Sequence, residues 1–84
     1  MIPPGYLVVH NSTAFTGVLV LLKERRQPNA NFTPDMEAGE FRKGQIGIVV
    51  SSVDDWCLVL APGGLGWCKS AMLTIRKGRF VGND

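Results

Sequence analysis

Trp56-Cys57-Leu58-Val59-Leu60-Ala61-Pro62-Gly63-Gly64-Leu65-Gly66-Trp67-Cys68-Lys69 decides the fold. Two runs of strand-forming residues flank Ala61-Pro62-Gly63-Gly64, which reads as a hairpin loop. Folding the chain about Pro62 and Gly63 sets Cys57 opposite Cys68 and Leu58 opposite Trp67. Side chains alternate along a strand, so Cys57, Val59, Gly66 and Cys68 share one face. Trp56, Leu58, Leu60, Leu65 and Trp67 share the other. The face of small residues and thiols suits the packed interior of a tight barrel. The aromatic–aliphatic face then forms an outward strip, which suggests either a partner or a covering by the long loop or the N-terminal strand.

Working outward, Val53-Asp54-Asp55 is a turn, and Gln45 to Ser52 reads as the preceding strand after an Arg42-Lys43-Gly44 turn. Tyr6 to His10 follows a Pro-Pro-Gly break and reads as a first strand. Val18 to Lys23 reads as a second, its continuous apolar run consistent with burial on both faces or with a short buried helix. Between Glu24 and Lys43 the pattern lapses, and Pro28 and Pro34 forbid a continuous helix or a central strand. A long loop is expected there, anchored by Phe32, Met36 and Phe41.

The 84 residues make one domain, 1–84, with 1–5 and 78–84 read as flexible ends. Hydrophobic residues are 45% and charged residues 19%, which excludes a disordered tail. No apolar run approaches a membrane span, and the N-terminal residues lack a secretory signal, so a cytoplasmic location is expected. Both cysteines should then remain free thiols. Two cysteines and one histidine without close Cys spacing give no metal site, and no cofactor motif is present. Gly63-Gly64-Leu65-Gly66 is a hairpin turn rather than a phosphate loop, and His10 reads as a plain strand residue. With no nucleophile–base arrangement, the chain is read as a non-enzyme.

Glu40-Phe41-Arg42-Lys43-Gly44-Gln45-Ile46, then Asp54-Asp55-Trp56, then Gly66-Trp67-Cys68-Lys69-Ser70-Ala71-Met72-Leu73-Thr74-Ile75 resembles the second half of Src-homology-3 domains. The resemblance implies an all-β, five- or six-stranded Src-homology-3-like barrel of bacterial or phage type. It also implies one 3₁₀ turn over Ser70 to Leu73 and a last strand over Thr74 to Lys77. Trp56 falls at the ligand-gripping tryptophan, whereas Lys69 stands at the groove proline and Met72 at the final tyrosine. A PxxP ligand needs more aromatic walls than that.

The leading expectation is an interaction module that holds a protein partner, or a second copy of itself, through Trp56, Leu58, Trp67, Lys69 and Met72. Its small size and isolated domain would suit a phage or mobile-element protein. The alternative is nucleic-acid binding. Lys43-Gly44-Gln45-Ile46-Gly47-Ile48-Val49 also resembles the start of a KOW motif, and Arg42, Lys43, Arg76, Lys77 and Arg79 could contact phosphates. The net charge of +2 is small for that role, and Asp54 and Asp55 stand beside Trp56.

Overall fold

The computed structural model describes residues 2–11, 17–25 and 33–79, the side chains of 77–79 excepted. Seven strands form one antiparallel sheet: β1 (Tyr6–His10), β2 (Val18–Leu22), β3 (Glu37–Arg42), β4 (Gly47–Val53), β5 (Trp56–Ala61), β6 (Gly64–Lys69) and β7 (Leu73–Arg79). Their spatial order is β3-β2-β6-β5-β4-β1-β7. Two 3₁₀ turns, Pro34–Met36 and Ser70–Met72, complete the described elements. No helix among the described residues is long and apolar enough to cross a membrane.

The β5–β6 hairpin has the expected register, with Cys57 opposite Cys68, Leu58 opposite Trp67 and Val59 opposite Gly66. Cys57, Val59, Gly66 and Cys68 are all buried. They join Val8, Leu21, Phe41, Val49 and Leu73 in a core drawn from every strand. A single sheet can enclose such a core only by curling. Its closure is visible where His10 of β1 packs edge-on against Phe41 of β3, ring centroids 5.5 Å apart. The His10 Nε2 donates to the Gly17 carbonyl (3.1 Å), which also accepts from the Lys43 amide (2.8 Å).

Seven strands replace the five or six expected, and two 3₁₀ turns the one expected. The extra strand is β3, inside the stretch read as a loop. Glu37-Ala-Gly-Glu-Phe-Arg42 buries only Gly39 and Phe41, and hydropathy does not register a glycine as a core residue. A Cβ on Gly39 would lie 2.8 Å from the Gly63 carbonyl oxygen, so the strand packs here because the residue has no side chain. Gly66 serves the same end, since a Cβ there would lie 2.6 Å from Leu21 Cβ. Of the three expected loop anchors, Phe41 is fully buried, Met36 is half-buried, and Phe32 lies outside the described residues.

Strand bounds also shift. β4 spans Gly47–Val53 rather than 45–52, and a bulge at Val50 leaves that side chain exposed. β7 runs from Leu73 to Arg79 rather than 74–77, so residues 78 and 79 belong to the sheet and not to a flexible end. Residues 2–5 are fastened as well. Ile2 is buried, its carbonyl accepts from Ser52 Oγ, and the Gly5 amide donates to the Val49 carbonyl (2.7 Å). Residues 80–84 lie outside the described set.

Phe41 is the largest fully buried side chain and touches the closure at His10. Phe41→Ala should cost about 3–5 kcal/mol, a large share of the roughly 5–15 kcal/mol that holds a domain together. Urea denaturation followed by tryptophan fluorescence should show a midpoint well below that of the parent, or no folded baseline.

Candidate partner-binding groove

β2 meets β6 at one register position among the described residues, Leu22 opposite Trp67. Beyond it the strands diverge. The gap is a groove of about 230 Å³ lined by Leu19, Val20 and Leu22 on one side and by Trp56, Trp67, Cys68, Lys69 and Met72 on the other. Leu19 is a partly buried residue packed on the core, so the groove reaches close to the interior.

Each far-wall residue has a local cause for its place. Asp54 takes a positive φ of 54°, which closes the Asp54-Asp55 turn and starts β5 at Trp56. Trp56 pairs with Lys69, the last residue of β6. The chain then enters the 3₁₀ turn, whose first amide, Ser70, donates to the Asp55 carbonyl (2.8 Å). That bond fastens the turn to the start of β5 and brings Met72 to the groove.

The lysine is held twice. Its Nζ lies 2.7 Å from Asp55 Oδ2 and 4.8 Å from the centroid of the Trp56 ring. A cation over an indole face is attracted by the ring quadrupole. The hydrogen bond from Lys69 holds the Asp55 carboxyl below its ordinary range, although the group is fully exposed. Arg25 makes a similar contact on the next aromatic, its guanidinium carbon 5.4 Å from the Trp67 ring centroid.

The outward strip divides in two. Trp56 is only 9% exposed, so it is a wall of the groove and not an open surface residue. Lys69 covers its ring from one side, and Leu22 shares the lining of the groove with it. Leu58 and Trp67 are half-buried, whereas Leu60 and Leu65, at the turn end of the hairpin, are 49% and 46% exposed. Trp56, Trp67, Lys69 and Met72 therefore meet in one groove, and Leu58 does not line it.

The basic residues considered for nucleic acid are placed at the two ends of the strand order. Arg42 and Lys43 end β3 and begin its turn, and Arg76, Lys77 and Arg79 lie on β7. Arg42 is paired with Glu40 at 2.9 Å.

Sequence reasoning missed four lining residues of the groove, Leu19, Val20 and Leu22, read only as strand interior, and Cys68, read as core; it also missed Asp55, which holds Lys69. The signal for Asp55 was present, because the Trp56–Lys69 pairing puts the residue before Trp56 beside the residue after Lys69. The thiols are free and buried. Burial, aided by neighbouring Cys57, pushes the Cys68 thiol up to about 12, which removes it as a nucleophile near neutral pH. A second hollow of about 300 Å³ lies between the end of β2 and the first 3₁₀ turn, lined by Leu22, Lys23, Glu24, Thr33, Asp35 and Met36.

Comparison with protein-family models, curated proteins and solved structures finds no match to this chain.

The Asp55–Lys69 contact can be read by titration. A carboxyl held below its ordinary value of 3.8 contributes above that value and loses its contact as pH falls through the lower, folded one. Carbon-detected NMR titration should place Asp55 below 3.8, and Lys69→Ala should move its midpoint upward. An unchanged midpoint would show that the ion pair does not persist in solution.

Proposed function

We propose that this protein is a non-enzymatic interaction module that holds a segment of a protein partner in the groove between β2 and β6. The convergence of Trp56, Trp67, Lys69 and Met72 with Leu19, Val20 and Leu22 carries this reading. Aromatic and aliphatic walls with one or two positioned polar groups are the usual composition of a recognition site. The groove is built on strands and a pinned turn, so little order has to be acquired on binding.

The order of elements is in keeping with the resemblance to Src-homology-3-like barrels. A first strand is followed by a long hairpin, a three-strand meander, a 3₁₀ turn and a last strand that pairs with the first. A polyproline ligand of the usual kind is a poor fit. The Lys69 ammonium already lies over the ring that would grip it, and Met72 supplies no aromatic wall. The module is therefore a reader of a different segment chemistry, apolar at its centre.

Selection from a displayed random-peptide library tests the proposal. Met72 is half-buried in a 3₁₀ turn, so Met72→Glu should fold while placing a charge in the groove. Peptides enriched on the parent should bind that variant at least about tenfold more weakly, a loss of about 1.4 kcal/mol, with an unchanged circular dichroism spectrum. Peptides that bind both proteins alike would place recognition elsewhere. Light scattering that showed a parent dimer and a monomeric Trp67→Ala protein would make the occupant a second copy.

A further inference from the structure

We propose that the open edge of β7 is a second binding site, which takes an extended acidic segment of a partner protein as an added strand. β7 is a terminal strand of the sheet, paired on one side with β1 and, among the described residues, with nothing on the other. Its seven residues, Leu73–Arg79, make a long edge for so small a domain. Alternate residues of such an edge direct backbone N–H and C=O groups away from the sheet, ready to form another ladder.

The other terminal strand differs. β3 is closed by the tip of the β5–β6 hairpin, where the Glu40 amide donates to the Gly63 carbonyl (3.4 Å) and Gly39 abuts Gly63 and Gly64. Among the described residues the two ends of the sheet are thus unequal, and β7 is the one with a backbone row to offer.

Charge selects the occupant. The stretch 70–79 contains Arg76, Lys77 and Arg79 and no acidic residue. Residues 2–11, which include β1, carry neither Asp, Glu, Lys nor Arg, and β4 carries none either. Arg76 of β7 is exposed, and β7, β1 and β4 hold no carboxylate residue to offset it. A second copy pairing through the same edge would bring its own three cations alongside these, which is unfavourable. A nucleic acid would match the charge, and its phosphates could accept from the edge N–H groups, but it brings no row of donors spaced to meet the edge carbonyls. An extended peptide bearing carboxylates matches both. Ile75, 47% exposed on this strand, adds an apolar contact for a side chain of the incoming segment.

The test uses the whole chain and synthetic probes: a fluorescent octapeptide of alternating Glu and Val, the same peptide with Lys for Glu, and a twelve-residue oligothymidylate. The Glu–Val peptide is also made in two N-methylated forms, each blocking alternate amides. Fluorescence anisotropy should show binding of the Glu–Val peptide and not of its Lys counterpart, weakening as salt rises. One N-methylated form should lose binding, because strand addition uses alternate amides, while attraction between charges alone is indifferent to them. Arg76 is exposed, so Arg76→Glu should leave the denaturation midpoint in place and weaken binding about tenfold, or 1.4 kcal/mol. Val20→Gln, an uncharged change in the groove wall on β2, should leave binding unchanged, which separates this site from the groove. The proposal is overturned if the Glu–Val peptide fails to bind at low salt. Equal binding by both N-methylated forms, or stronger binding by the oligothymidylate, would overturn it too.

Discussion

The pairing of Cys57 with Cys68 across β5 and β6 is the constraint on which the other features depend. It fixes which side chains of the hairpin enter the core, and a slip of one residue would exchange the faces. With this register, small groups line the inside: two thiols, Val59 and Gly66. The interior is narrow as a result. A Cβ on Gly66 would collide with Leu21, so β2 can lie against the hairpin only at a glycine. The same closeness brings Leu22 to Trp67 and leaves, where β2 then departs, the groove beside Trp56.

Much of this was legible in the residues because the hairpin is a local structure. Pro62-Gly63 marks its turn, alternation assigns its faces, and pairing follows by counting. β3 was hidden for the opposite reason. Its inward residues are Gly39 and Phe41, and what makes Gly39 a core position is the backbone of Gly63 and Gly64, more than twenty residues away. The bulge at Val50 was equally invisible, since an extra residue in one strand leaves no hydropathic trace. Of the candidate site, the resemblance to Src-homology-3 domains pointed to Trp56, Lys69 and Met72, which do meet. The opposing wall of Leu19 and Val20 could not be placed, because it depends on where a hairpin with an unreadable second strand comes to rest.

The groove and the edge divide the surface into two kinds of chemistry. The groove is apolar, with its one nearby ammonium balanced by Asp55 and spread over an indole ring. Exposed ion pairs of this sort contribute little to stability. Their effect here is positional: Lys69 is held between the Asp55 carboxylate and the Trp56 ring. The β7 edge is backbone and positive charge, with no carboxylate residue in β7 itself or in its neighbour β1. A module with both could hold one partner at two points, and linked contacts raise affinity without new interactions at either.

The central claim is that the groove between β2 and β6 is where a partner segment sits. An amide-shift NMR titration with a peptide selected on the parent protein tests it most directly. The account predicts the largest changes at Leu19, Val20, Lys69 and Met72 and at the indole N–H groups of Trp56 and Trp67. Changes gathered instead around Leu60 and Leu65, with those two indole signals unmoved, would contradict it.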